Sequence, residues 1–244
     1  VRFTAFFDFA LERETRSAIE RMAHLVAAVS PERIAAELRA MTSRPGRLRA
    51  LELLDETGLA REVLPEVAPA DAATRRAWQE AARIVAALDE PSLPQALATL
   101  AADREPATLE AVAGRLRLSN QEGKTAIWLQ AAVRELGETD PARRAWSSVQ
   151  PWVADPRAAL AADLLRARAA CGRGDAAAAA WFTAQVERPR EETDPPPLVT
   201  GNDLLAAGVP PGPPVGAALA RIRSLQLDGV IATREEALAV VRGP

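Results

Sequence analysis

Tyrosine is absent from the 244-residue chain, histidine and cysteine each occur once, and aromatic residues make up only 4%. A single cysteine, Cys171, excludes an internal disulfide and fits a reducing compartment. Arg168 and Arg173 lie close to it in sequence, but nothing else equips it as a nucleophile, so it reads as a buried, inert thiol. The lone histidine, His24, has no sequence neighbour that nominates a proton partner, as a general base requires, and it reads as structural or surface-exposed. No apolar run approaches the ~20 residues of a membrane span, and no secretory leader is recognisable. These absences point to a cytoplasmic protein. Net charge is −3 with a pI near 5.5, so no global basic field attracts nucleic acid and any RNA contact must rest on local patches.

What is abundant is alanine, leucine, arginine and glutamate, the strongest helix formers, and the expected class is all-α. Ile19, Met22, Ala23 and Val26 recur at the spacing of a core-facing helix. In "SPERIAAELRAM", Ser30 fits an N-cap and Pro31 the first helical position, with Arg33 and Glu37 spaced to pair. A helix through Leu48, Leu51 and Leu54 ends at Gly58, a left-handed stop. Further helices are predicted at 74–88, 92–103, 107–116, 119–136 (capped by Ser119), 141–153, 156–171 and 175–187. The Pro-rich "ERPREETDPPPL" reads as a linker or strap, and a last short helix is capped by Thr233 with Glu236. The expected organisation is a segment at 1–68, a helical body at 69–187 and a linker with tail at 188–244.

Two features qualify as RNA contacts. The first is "RAMTSRPGRLRA", which gathers Arg39, Arg44, Arg47 and Arg49 without one acidic residue. Arginine forks suit phosphate oxygens, though a solvated loop has the same composition. The second is "VTGNDLLAAGVPPGPPVGAALARIRSLQLDG". It has neither the lysine nor the preceding strand of a P-loop and reads as a helical hairpin. Thr200 caps its first helix, Gly208 ends it, and Leu219, Ile222, Leu225 and Leu227 are the expected buried positions of the second. Backbone amides near Gly212 and Gly216 offer a place for one RNA phosphate; a hairpin that only packs the tail is the alternative.

The runs "VRFTAFFDFALERET", "SPERIAAELRAM" and "RALELLDETGLAREVLPE", followed by "PPPLVTGNDLLAAGVPPGPPVGAALARIRSLQLDG", resemble bacterial tRNA nucleotidyltransferases. These CCA-adding enzymes are related to bacterial poly(A) polymerase. The resemblance covers nearly the whole chain and implies a neck, a body and a tRNA-gripping tail. It also implies tRNA as partner, without DNA or membrane, and CCA addition from CTP and ATP. The family's catalytic head has a Gly-Gly turn, an Arg-Asp pair, two Mg²⁺-binding aspartates and a nucleotide-reading Glu-Asp-x-x-Arg, and none of these is in this sequence. Because the chain opens directly on Val1, it reads as cut from a larger protein, with the head, its Mg²⁺ and its nucleotides outside. Arg2, at the position of the last arginine of the nucleotide-reading helix, is the one implied nucleotide contact.

The body resembles the HD-type helical domain with its metal ligands erased. "TLAADREP" places Ala102 at the histidine position and retains Asp103, "WLQAAV" places Ala131 and Ala132 at a histidine pair, and "RARA" places Arg168 at a carboxylate. A divalent ion needs three or more converging donors, so no metal site and no phosphohydrolase activity is expected. No carboxylate pair for a two-metal step is recognisable either. The chain alone is therefore expected to be inactive. The rival expectation is a stand-alone helical RNA-binding or interaction protein that has lost its head.

Overall fold

The computed structural model describes residues 1–137 and 141–242 and is helical throughout, with no strand among those residues. Among the described residues sixteen α-helices run in order: α1 Arg2–Phe6, α2 Arg13–Met22, α3 Pro31–Thr42, α4 Arg47–Glu56, α5 Leu59–Val63, α6 Ala72–Ala87, α7 Leu93–Leu100 and α8 Pro106–Arg115. They continue as α9 Asn120–Gly137, α10 Trp146–Val153, α11 Ala158–Ala170, α12 Ala176–Val186, α13 Arg190–Thr193, α14 Gly201–Ala206, α15 Pro213–Leu227 and α16 Arg234–Arg242. By contact the chain forms two compact units, 1–139 with 159–179, and 140–158 with 180–244. Residues 138–140 and the last two of the expected tail, 243–244, lie outside the described residues.

The first unit is built around α7, whose residues Leu93 to Thr99 are all buried. A helix apolar on every side must be enclosed, and α7 packs against α6, α9 and α3. Ser92 and Gln95 start it with a reciprocal capping box, and the buried Gln95 amide also donates to the Leu160 carbonyl at 3.2 Å. One core runs continuously from Leu38, Leu51 and Leu54 through Trp78 and Val85 to Leu97, Leu109 and Val112. It therefore crosses the boundary expected after residue 68. The Trp78 indole N–H donates to the Leu51 carbonyl at 3.0 Å, which ties α6 to α4.

The stripe expected of Ile19, Met22, Ala23 and Val26 does not form one helix face. The α-helix stops at Met22 and tightens into a 3-10 segment over Ala23–Ala28. Three residues per turn break the 3.6-residue period. Only Ala23 is buried, and Met22 is left 51% exposed. The predicted helix at 141–153 is likewise divided, into a 3-10 turn Pro141–Arg143 and α10, because Ala145 is extended between them. Glu37 pairs with Arg2 at 2.6 Å instead of with Arg33.

In the second unit, Val199, Leu204, Ile222, Ile231 and Ala237 form a small core. Of the four positions expected to be buried on α15, only Ile222 is enclosed; Leu219, Leu225 and Leu227 are partly covered. The Pro-rich strap contains α13 and is held to α15. Arg223 donates to the Asp194 carboxylate (2.6 Å) and the Pro195 carbonyl (2.7 Å), and Gln226 donates to the Pro196 carbonyl (2.8 Å). Asp228 at the end of α15 accepts from the backbone N–H and hydroxyl of Ser147 on α10, both at 2.8 Å. Thr200 and Asp203 form a capping box on α14, and Arg234 of α16 donates to the same Asp203 at 2.7 Å.

Truncating Leu97, 2% exposed at the centre of the first unit, leaves a cavity. Leu97→Ala is expected to lower unfolding stability by about 2–5 kcal/mol in urea titration. Asp203 reports on the second unit. Arg234 and the Thr200 amide and hydroxyl hold its carboxyl well below the usual range. The folded tail therefore binds fewer protons than the unfolded one. That stability is complete above the ordinary aspartate value of about 4 and fades as pH falls through and below it. A melting-temperature series from pH 6 to pH 2 is expected to fall less steeply for Asp203→Asn than for the natural protein.

Candidate nucleic-acid interface

The interface begins with how α1 is seated. Ala5 is buried against Ala50 and Leu53 of α4, with Val1, Leu11 and Met41 around them. The approach is close at Gly46, which has φ +82°; a Cβ there would lie 2.2 Å from the Ala5 carbonyl oxygen. Only glycine serves at that position. With Ala5 inward, Phe3, Phe6 and Phe7 face outward at 61%, 41% and 53% exposure. Asp8 then adopts a left-handed conformation (φ 53°), and the Phe9 N–H donates to the Thr4 carbonyl at 2.9 Å. The turn carries Phe9, 63% exposed, back beside Phe7.

The four rings form a continuous ridge. Phe3 and Phe7 stack with centroids 6.3 Å apart, Phe7 and Phe9 stack at 5.4 Å, and Phe6 meets Phe7 edge-on at 4.8 Å. Guanidinium groups flank it: Arg2 lies 4.4 Å from the centre of the Phe3 ring and Arg44 lies 5.7 Å from that of Phe6. Exposed aromatic faces beside arginines are what unpaired bases and phosphates require. Sequence reasoning missed these rings as site residues. The available signal was that four of the five phenylalanines fall within residues 3–9, beside Arg2.

The four arginines of residues 39–50 meet different fates. Arg39 donates to Glu122 at 2.7 and 3.1 Å. Arg49 pairs with Glu56 at 2.7 Å and with Glu52, and these carboxylates, Glu56 first, raise its proton affinity further. Arg47 donates to the carbonyls of Val85 and Ala86, both at 3.0 Å, and to that of Leu88, closing the end of α6. Its burial there lowers its pKa. Arg44 is exposed and has no ion pair among the described residues; its neighbour is the Phe6 ring. Arg13, Arg21 and Arg33 are also exposed cations without an ion pair among the described residues, and the sequence reading did not single them out as contacts.

Gly212 and Gly216 lie in the second unit, at the start of α15. Gly212 is its N-cap with φ +99°, and Pro213 and Pro214 follow at the first two helical positions. Neither proline carries an N–H, so this helix end offers fewer donors to a phosphate than an ordinary one. Both glycines are exposed.

In the body, Ala102, Asp103 and Arg168 line one cavity of about 270 Å³. On α9, Ala132 is fully buried, whereas Ala131 is exposed. No group of three or more His, Cys, Asp or Glu residues is placed to hold a metal among the described residues. His24 is exposed, and Cys171 is partly exposed, in contrast to the buried thiol expected. No helix among the described residues is long and apolar enough to cross a membrane.

Residues 8–71, from Asp8 through the N-cap of α6, match a protein family described as the probable RNA and SrmB-binding site of polymerase A. The match supports an RNA partner in general and contains Phe9, Arg13, Arg21, Arg33 and all four arginines of residues 39–50. No curated protein matches the chain.

Two substitutions separate contact from scaffold. Arg44→Ala is expected to leave the melting temperature unchanged and to reduce the salt dependence of RNA binding by about one phosphate contact. Arg47→Gln is expected to cost about 1.5–3 kcal/mol in urea titration, through lost charge-assisted bonds to α6.

Proposed function

We propose that this chain is the RNA-binding helical part of a tRNA nucleotidyltransferase that adds C, C and A to the tRNA 3′ end from CTP and ATP. The match of residues 8–71 to the RNA-binding site of polymerase A carries this reading. The motif resemblance along the rest of the chain supports the tRNA nucleotidyltransferase family, and CCA addition is the activity proposed within it. In this reading the Phe3–Phe9 ridge receives unpaired bases. The exposed cations Arg13, Arg21, Arg33 and Arg44 take backbone phosphates, and the tail around α14 and α15 contributes a second RNA contact. Arg2 is already paired with Glu37 and stacked on Phe3. Its role is to orient the ridge beside a nucleotide.

Mg²⁺ belongs to the catalytic head in this scheme. The carboxylates described here do not converge on a point where a divalent ion would sit, and no step of the transfer is assigned to them. The part of this chain in the scheme is to bind and orient the RNA through the ridge and the exposed arginines.

Filter binding against tRNA lacking its CCA end, poly(A) and duplex DNA tests the proposal. Expected are preference for tRNA, a steep fall in affinity with salt, and weakening by Phe7→Ala of about tenfold, the scale of one stacked base. In parallel, the natural gene product is expected to extend the same tRNA with labelled CTP and ATP. Duplex DNA bound as well as tRNA would overturn the RNA reading, and RNA binding without extension would overturn the transferase reading.

A further inference from the structure

One half-buried cation of the first unit has no direct partner among the described residues. Arg168, half-buried on α11, makes no hydrogen bond or ion pair through its side chain to any of the described residues. Two arginines near it in sequence are served differently: Arg166 pairs with Asp163 and Arg173 with Glu80. Burial lowers the pKa of Arg168, the Asp103 carboxylate opposes that fall, and Arg173 adds to it. A guanidinium carries five donors and stays charged. Its nitrogens are not sealed from solvent, so they stay open to a ligand entering from outside.

Arg168 borders the cavity of about 270 Å³ together with Asp103, Gln130 and Arg134. Gln130 is buried, and its amide N–H groups are spent on the carbonyls of Ala101 and Arg104, so it fixes the wall. Arg134 donates to the Arg104 carbonyl at 3.0 Å, which places a second guanidinium at the rim. Asp103 is exposed and forms no ion pair with Arg168 among the described residues. The titratable lining is therefore two guanidinium groups against one carboxylate, the wrong balance for a metal and the right one for an oxyanion. The volume falls below the roughly 300–1,000 Å³ of pockets that enclose drug-sized ligands. It suits a phosphate group with little attached to it.

We propose that this cavity is an anion site in which the Arg168 fork, with Arg134 at the rim, binds a phosphate group. Planar guanidinium donors match phosphate oxygens two at a time. Asp103 moderates affinity by repulsion. The phosphate comes either from a small phosphate compound or from the RNA backbone.

Isothermal titration of the chain with inorganic phosphate tests the site, repeated with AMP and with a 5′-phosphorylated RNA oligonucleotide. One phosphate per chain is expected to bind. Arg168→Gln should weaken binding at least tenfold, and Arg168→Lys should weaken it less. Asp103→Asn should tighten it several-fold, an effect that a disturbed fold does not produce. The melting temperature of each variant establishes that it is folded. An Arg168-dependent preference for the oligonucleotide assigns the phosphate to RNA, and the opposite preference assigns it to a free compound; either supports the site. No phosphate binding by the natural chain, or equal binding by folded Arg168→Gln, would overturn it.

Discussion

The contact on which the candidate interface depends is the approach of the Ala5 carbonyl to Gly46. A side chain at residue 46 would occupy the space of that carbonyl, and the backbone there is left-handed. The pair therefore fixes how a five-residue helix lies on α4. A helix this short has little stability of its own, so its orientation comes from packing. Once Ala5 is inward, the helical period sends Phe3, Phe6 and Phe7 outward. The ridge is thus a consequence of the enclosed alanine and the glycine beneath it, and not of any preference of phenylalanine for solvent.

The arginines follow a second rule, set by what the packed helices leave unsatisfied. Helix ends run short of backbone donors; at the end of α6 the Leu88 N–H reaches the Val85 carbonyl at 3.4 Å, and Arg47 supplies further donors from α4. Arg115 similarly answers Glu66 and the Val63 carbonyl. Such cations hold the unit together and are unavailable to a ligand without a structural cost. Surface pairs such as Arg49–Glu56 and Arg39–Glu122 are different, because exposed ion pairs contribute little and a phosphate can exchange for the carboxylate. Arg44 needs no exchange. The run that looked uniformly basic in sequence therefore has graded availability.

The helices were largely legible because their signals are local. Ser119 with Glu122, Thr200 with Asp203 and Thr233 with Glu236 are three residues apart, and each starts a helix near its expected place. Gly58 and Gly208 are left-handed at the ends of α4 and α14 as read. The partners of Arg2, Arg39 and Arg47 lie 35 to 83 residues away, and no local pattern encodes them. The same limit hid the sharing of one core by residues on both sides of position 68. It also hid the switch from α to 3-10 at Ala23, where the apolar spacing is compatible with either.

The arginine at position 168 puts a charge at the wall of a cavity that the surrounding helices do not close. In an ordinary core apolar residues would fill such a space, since close packing is the default of interiors. Instead α7, α9 and α11 still leave a cavity with charge at its wall. The Arg168 guanidinium is left open to that cavity, with no direct partner among the described residues. The structure thus contains two positive surfaces with different logic. One is an exposed aromatic–arginine ridge able to stack on bases, and the other is a recessed guanidinium matched to a single phosphate. In the proposed reading the first meets extended RNA by area, whereas the second selects by charge and size.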